Sequence, residues 1–320
     1  MRHFATLDAM RGIAAIVVMM WHSTTQPVPV PGGYLAVDLF FGISGFVMAL
    51  TYEERLRQGM TARHFLALRT ARLWPMLALG SLLSIVLMNG WIGMVFLIPD
   101  FRGPTALFPS NPPYWSLLME AAAYTAFAFG GARLSTRQVA GVALAAGLAL
   151  CVAAAGDRPF HEFGSFWATI PQGLARVAFS FSIGMLIYRL RAAFALPKAT
   201  GRSAWLLPLL TLPIALLVPI PGQLEPLLVV LLLLPAALWL GTKWEVPHAR
   251  LAAALGAMSY PLYCIHMPGL WVGRQFDAPE PIVWCALIGL SFALDRWLDR
   301  PMRQVLKAMA DGSPKALKPA

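Results

Sequence analysis

Charged residues are scarce in this sequence. Asp, Glu, Lys and Arg make up 12% of its 320 residues, whereas soluble globular proteins contain about 25%. Hydrophobic residues make up 58%. This composition excludes an ordinary soluble globular protein and predicts a chain that crosses a membrane several times. The net charge of +10 is explained by membrane topology, as shown below, so we expect no nucleic-acid partner.

Cysteine is rare as well. Cys151, Cys264 and Cys285 lie in apolar runs and have neither the spacing of metal ligands nor that of a disulfide framework. We therefore expect them to be small, buried hydrophobic residues, and we expect no metal site and no permanently bound cofactor. The sequence also shows no internal repeats. It has no signal-peptide cleavage pattern, so the first apolar run should remain in the protein as the first span.

Long apolar stretches are what the sequence does contain. Stretches of about 17 to 25 residues predict transmembrane helices, and Pro and Gly punctuate most of the gaps between them. The ten predicted spans are 11–27, 34–52, 73–98, 113–130, 138–156, 166–188, 204–220, 224–241, 251–272 and 281–298. The predicted fold is an all-α polytopic bundle of about ten helices over residues 1–303, followed by a mobile cytoplasmic tail over 304–320.

Lys and Arg are divided unequally between the two sides of these spans. Twenty-one lie on the side of both termini, whereas Arg102, Arg158 and Arg274 lie on the other and Arg176 falls inside a span. Loops rich in Lys and Arg stay in the cytoplasm. The asymmetry therefore predicts a multi-pass protein of the inner (plasma) membrane with both termini cytoplasmic.

Arg11 and His22 are eleven positions apart in the first span. Eleven residues is close to three helical turns, so the two side chains share a face. If Arg11 marks a membrane surface, His22 is expected near the middle of the bilayer, where an ionisable group indicates a functional site. Such a histidine could act as a general base or as a nucleophile. The alternative is a histidine that is only hydrogen-bonded inside the bundle.

Asp38 and Glu120 are the carboxylates placed well inside predicted spans. Such groups face a cavity or pair with a cation, and the candidate partners are Arg11, His22 and Arg176. A carboxylate bound to one imidazole nitrogen would leave the other nitrogen free to act as a base. The alternative is an ion pair that only holds helices in register.

Arg69 and Arg72 lie three residues apart on one face of a helix that enters the membrane. Paired guanidinium groups suit bidentate phosphate recognition. The alternative, a simple topology signal, explains this pair less well, because the pair is followed directly by Leu-Trp-Pro.

Five motifs in order resemble the acyltransferase-3 family. They are the Arg11–His22 spacing with Gly33-Tyr-Leu-Ala-Val-Asp-Leu-Phe-Phe-Gly-Ile-Ser-Gly-Phe46, then Arg69-Thr-Ala-Arg-Leu-Trp-Pro75, Tyr114-Trp-Ser-Leu-Leu-Met-Glu120, Ser259-Tyr-Pro-Leu-Tyr-Cys-Ile-His-Met-Pro268 and Leu298-Asp-Arg-Pro-Met-Arg303. The resemblance covers residues 7–303. Members are multi-spanning membrane enzymes that move acyl groups, often acetyl, onto sugars.

The resemblance implies a donor, an acceptor and a site. The co-substrate would be acyl-CoA, most simply acetyl-CoA, bound through Arg69 and Arg72. The acceptor would be a surface glycan such as an exopolysaccharide, or a lipid-linked glycan. The expected catalytic residues are His22, Arg11, Asp38 and Glu120, and the expected acceptor path includes Ser44, Tyr260 and His266. Membrane lipids and a second copy of the chain are further expected partners.

The sequence departs from the family pattern after Glu120. The family often has two adjacent acids and then Gln-Phe-Tyr, whereas here Glu120 is followed by Ala121-Ala122-Ala123-Tyr124, so only the first acid is present. Any role that needs the second carboxylate is therefore in doubt.

Two other classes of function fit part of the pattern. A transporter or flippase of a lipid-linked glycan would also use ionisable residues inside the membrane. Such proteins often contain paired repeats, which this sequence lacks, and the arginine pair would have no obvious use. A scaffold in a polysaccharide export complex would leave the intramembrane ionisable residues unexplained.

Overall fold

The protein is a bundle of long α-helices. The computed structural model describes residues 4–23, 30–193, 209–213 and 224–312. In these ranges the long helices are α1 (Ala5–Trp21), α2 (Gly33–Arg57), α3 (Ala62–Met88), α4 (Tyr114–Phe129), α5 (Thr136–Ala154), α6 (Trp167–Leu190), α7 (Leu224–Lys243), α8 (Ala249–Gln275) and α9 (Glu280–Ala310). The one β-pairing within the described residues is an isolated bridge between Ala106 and Phe166. The all-α prediction is confirmed.

Nine of the ten predicted spans therefore correspond to a long helix in the described ranges, and six of these helices are long and apolar enough to cross a membrane. The exceptions to that criterion are α1, α4 and α8. The predicted span 204–220 lies outside the described residues except for 209–213. The predicted tail begins at residue 304, but α9 continues to Ala310, and residues 313–320 lie outside the described ranges.

Two predicted spans are displaced along the chain. The helix α1 begins at Ala5 rather than at residue 11, because Leu7 and Met10 also pack into the core while Asp8 occupies the first turn, where the helix dipole favours an acid. The helix α3 begins after Thr61, whose hydroxyl accepts a hydrogen bond from the His64 amide at 3.2 Å. It ends at Asn89, which adopts a left-handed conformation with φ 53°.

Glycine residues permit a close contact between α2 and α6. At Gly45 of α2 a Cβ atom would lie 2.0 Å from the Phe181 carbonyl oxygen, and at Gly184 of α6 it would lie 2.0 Å from the Gly42 carbonyl oxygen. Small residues let helix backbones approach in this way within membranes. The α2–α6 contact is thus fixed by backbone packing.

The helices alternate between two ends of the bundle. At one end, Arg57 Nε donates to the Ala132 carbonyl at 2.8 Å and Arg189 Nε lies 3.1 Å from Glu53 Oε1. We call this the basic end; α1 begins here and the last segment of α9, Arg300–Ala310, lies here. At the opposite end, the Leu107 amide donates to the Ser165 carbonyl at 3.0 Å, which joins the two long connections of that side.

The cysteines differ in burial. Cys264 is buried as predicted, but Cys151 and Cys285 are exposed. The prediction that all three are buried is wrong, because Cys151 and Cys285 lie on outward faces of α5 and α9 and contribute nothing to the core.

Candidate active site

A cavity of about 150 Å³ lies between α1, α2, α3, α4 and α8. Six of the nine predicted site residues line it. They are Arg11, Ser44, Arg69, Arg72, Glu120 and Tyr260. The fold thus brings together residues that are far apart in the sequence. His22, Asp38 and His266 are outside this group.

Glu120 is the centre of a hydrogen-bonded network on the cavity wall. Ser44 Oγ donates to Glu120 Oε1 at 2.7 Å, and the Tyr124 hydroxyl donates to the same oxygen. Arg69 Nη2 donates to the Tyr124 hydroxyl at 2.9 Å, and its guanidinium carbon lies 4.6 Å from the centre of the Tyr124 ring. Glu120 therefore fixes Arg69 through Tyr124 rather than by direct contact.

Tyr124 had no role in the sequence analysis. Its position one helical turn after Glu120, on the same face, was the signal that could have identified it. The phenol of Tyr124 thus bridges a carboxylate and a guanidinium on the cavity wall.

Arg72 lines the same cavity. Its guanidinium carbon is 5.5 Å from the centre of the Tyr260 ring, and Nη1 is 3.9 Å from Asp299 Oδ2. The Tyr260 hydroxyl donates to the Leu73 carbonyl at 2.7 Å, which holds that ring in place. The Arg72 Nη1 atom is buried and has no hydrogen-bond acceptor among the described residues. An anionic ligand would supply the acceptor that Arg72 lacks.

His22 lies at the opposite end of the bundle from the start of α1. The helix α1 begins at Ala5 and ends at Trp21, so His22 is its C-cap rather than a residue of its middle. The depth of His22 in the bilayer stays a prediction. The His22 ring nitrogen Nδ1 lies 2.8 Å from the Val18 carbonyl oxygen, and Arg274 Nη2 donates to the His22 carbonyl at 2.8 Å. A carbonyl can only accept, so Nδ1 carries the proton and Nε2 of the neutral ring keeps its lone pair.

His266 lies beside His22. The two ring centres are 5.1 Å apart, and the Tyr263 ring is 5.8 Å from that of His266. Tyr263 also lines the cavity, and its hydroxyl lies 2.5 Å from Ser116 Oγ. His266 is fully buried, with Nδ1 3.1 Å from the Leu262 carbonyl oxygen and Nε2 without a partner among the described residues. Tyr263 and Ser116 therefore separate the arginine-lined cavity from the histidine pair.

Asp38 is paired with Arg176, one of its candidate partners. Arg176 Nη2 lies 2.5 Å from Asp38 Oδ2, and Nε lies 3.3 Å from Oδ1. Both side chains are buried. Arg176 also donates to the Phe163 carbonyl at 3.1 Å and to the Tyr34 carbonyl at 3.3 Å. The pair ties α2 and α6 to a connection at the opposite end.

The carboxylates thus have partners other than His22. Asp38 binds Arg176, and Glu120 binds Ser44 and Tyr124. The idea that one of them holds the imidazole of His22 is not met in this structure, because the Val18 carbonyl occupies the nitrogen that a carboxylate would bind.

Long apolar helices around an arginine-lined cavity define a multi-pass membrane protein with an internal polar site. The sequence profile of the acyltransferase-3 family, described as an acyltransferase domain, matches residues 4–294, and the chain belongs to this family. "Protein 2 in picA locus" of Rhizobium radiobacter is 33% identical over 181 residues, which cover 48% of this chain and 95% of that protein. No solved structure matches the chain. The family predicted from the five motifs is confirmed, and the protein is a membrane acyltransferase by family.

Proposed function

We propose that the protein transfers an acyl group, most simply acetyl, from acyl-CoA to a hydroxyl of a surface or exported glycan. The observation that carries this proposal is the arrangement of the cavity. Its arginines face the basic end, and Tyr263 on its wall leads to the histidine pair toward the opposite end. In this proposal the basic end faces the cytoplasm, where acyl-CoA is available, and the membrane is the inner membrane.

The donor would bind with its phosphates near Arg69 and Arg72. Both side chains line the cavity, and Arg72 Nη1 lacks an acceptor among the described residues. Because Arg69 is held by Tyr124, its guanidinium is already oriented before the ligand arrives, which lowers the entropy cost of binding. The pantetheine arm would extend through the cavity and carry the thioester toward Tyr263.

His22 would provide the chemistry. Its Nε2 can remove the proton from the acceptor hydroxyl, whose oxygen attacks the thioester carbonyl carbon, and the departing CoA thiolate receives that proton from the imidazolium. Alternatively, Nε2 attacks the carbonyl carbon and expels the CoA thiolate. The acceptor hydroxyl then attacks the acyl-imidazolium, which releases the neutral imidazole, and the hydroxyl proton goes to the thiolate. The hydrogen bond to the Val18 carbonyl supports both routes, because in the neutral ring it places the proton on Nδ1 and leaves the lone pair on Nε2.

A labelled-donor assay tests the proposal. Purified protein is incubated with acetyl-CoA labelled in the acetyl group and with cell-envelope glycans, and CoA release and glycan label are measured. His22→Ala should abolish both signals. His248→Ala, the same substitution at an exposed histidine of the basic end, should retain them.

The outcomes separate the classes of function. Parent protein that neither releases CoA nor labels glycan would overturn the proposal, and glycan movement across vesicles without label transfer would favour a transporter. Full activity in His22→Ala would remove His22 from the mechanism. Comparing surface-glycan acetylation with and without the gene would then identify the acceptor.

The role of the arginines has its own test. Arg72→Gln should weaken acetyl-CoA binding and raise the donor KM about tenfold or more, since a hydrogen bond to a charged group contributes about 1.5–3 kcal/mol. The acceptor KM should change little. Unchanged donor affinity would move the donor site elsewhere.

A further inference from the structure

A second, open cleft of about 460 Å³ lies at the basic end. It is bounded by α1, α3, α8 and the last segment of α9. Five cationic side chains line it, together with the carboxylates of Asp8 and Asp295. The five cations are Arg11, Arg72, Arg300, Arg303 and Lys307. From the sequence, Arg300, Arg303 and Lys307 have no predicted role beyond topology and the closing motif.

The cleft has excess positive charge. Asp295 already binds two of the cations, with Arg300 Nε at 2.5 Å and Arg303 Nη2 at 3.0 Å. Asp299 behind the wall is 2.8 Å from Arg303 Nη2. Lys307 and Arg11, in contrast, have no carboxylate within ion-pair distance among the described residues. Concentrated charge of one sign in a cleft attracts a ligand of the opposite sign.

The cleft adjoins the candidate active site. Arg11 and Arg72 line both the cleft and the cavity of about 150 Å³. A single ligand that occupies both spaces would need a bulky anionic end for the cleft, an anionic group near Arg72 and Arg69, and a thin uncharged arm beyond them. Coenzyme A has this shape, since its 3′-phosphorylated nucleotide is bulky and anionic and its pantetheine arm is thin.

A local distortion of α9 sets the geometry of this wall. Residues Asp295–Asp299 form a π-helical turn immediately before Arg300. Such turns insert an extra residue and re-aim the side chains that follow, frequently at functional sites. Here Asp295 and Asp299 turn inward and are buried, and they hold Arg303 from both sides. Lys307, one turn beyond Arg303, remains available to a ligand.

We propose that this cleft binds the 3′-phosphorylated nucleotide end of the donor, and that Lys307 contacts its 3′-phosphate. The inference rests on the proposed function, because it takes CoA as the donor. It adds a specificity element: the last segment of α9 distinguishes CoA from analogues that lack the 3′-phosphate. Arg72 then lies where the nucleotide ends and the pantetheine arm begins.

Calorimetric binding of two probes tests this inference. The full-length protein in phosphatidylcholine nanodiscs is titrated with coenzyme A and with 3′-dephospho-coenzyme A. The parent should bind coenzyme A about tenfold more tightly, since a charge-assisted contact to phosphate is worth about that factor. Lys307→Gln should reduce the preference toward onefold by weakening coenzyme A alone. Arg137→Gln removes the same charge from an exposed position of α5 away from the cleft and should leave the preference intact.

Each failure has a distinct meaning. If the parent binds both probes equally, or Lys307→Gln keeps the preference, the inference is overturned while the proposed function stands. If the parent binds neither probe, the donor is not CoA and both proposals fail. If both probes bind equally and phosphatidylglycerol nanodiscs weaken both, the cleft holds lipid phosphate, and the inference is again overturned. The comparison on the parent protein needs no variant, so a misfolded variant cannot obscure it.

Discussion

The buried pair of Asp38 and Arg176 gives a prediction whose size follows from the structure. Arg176 is 0% exposed and Asp38 is 2% exposed. Two guanidinium–carboxylate contacts join them, and the guanidinium lies 5.0 Å from the centres of both the Trp115 and Phe160 rings. Removing one partner would leave the other charge buried without compensation, which costs about 3–5 kcal/mol.

The perturbation is a double-mutant cycle. Arg176→Gln and Asp38→Asn should each destabilise the folded protein by about 3–5 kcal/mol. That loss corresponds to a fall in Tm of at least about 6 °C, at roughly 2 °C per kcal/mol for a chain of this size. The double variant has no buried charge at this site. It should therefore be less destabilised than the sum of the single variants, with a coupling of about 1–3 kcal/mol.

The assay is thermal unfolding in detergent, followed by fluorescence, combined with label transfer per folded molecule. A structural role predicts that folded double variant retains transfer activity at low temperature. Additive losses in Tm would refute the coupling argued from the geometry. A folded, stable Asp38→Asn variant without activity would instead restore the catalytic role that the sequence analysis gave to Asp38.

Three further predictions concern packing, topology and the network. Gly184→Leu should abolish folded protein, since a Cβ at this position would lie 2.0 Å from the Gly42 carbonyl oxygen. Gly141→Ala should fold normally, because a Cβ at Gly141 would have nothing within 4 Å. Size-exclusion chromatography of both variants tests this prediction. In a cysteine-free background, a membrane-impermeant thiol reagent added outside intact cells should label Gly103→Cys and spare Arg137→Cys; the reverse pattern would overturn the topology. Glu120→Gln should lower kcat and also weaken donor binding. The reason is that Tyr124 would lose its charged partner, and Arg69 would then lose its fixed orientation. An unchanged donor Kd by calorimetry would contradict this coupling of Glu120 to Arg69 through Tyr124.

The composition of the site was largely predictable. The family motifs predict catalytic roles for Arg11 and Glu120 and a donor-binding role for Arg69 and Arg72. The fold brings all four side chains to one cavity. Such residues can be identified from sequence because ionisable groups in apolar spans are costly and therefore rarely incidental. The assignment of roles to these residues stays a prediction.

The pairing of the site residues was not predictable. Nothing in the sequence distinguishes Arg176 from His22 as a partner for Asp38, because pairing depends on which helix faces which. The position of His22 along its helix was not predictable for a related reason. The apolar run alone placed the start of the first span at residue 11, whereas tertiary packing of Leu7 and Met10 extends the helix to Ala5. A hydrophobic pattern marks where a span exists more reliably than where it begins.

The separation of the arginine network from His22 bears on the direction in which the acyl group is transferred. The network around Glu120 holds an arginine on the side of the basic end, whereas Arg274 and the Val18 carbonyl hold His22 at the other end. Tyr263 and Ser116 stand between them, joined at 2.5 Å. In the proposed reaction an acyl group must pass this point while the nucleotide stays in the cleft at the basic end. A small group such as acetyl passes a narrow internal cavity more readily than a long acyl chain. The same geometry would let a glycan receive the acyl group from the far side of the membrane without CoA crossing it.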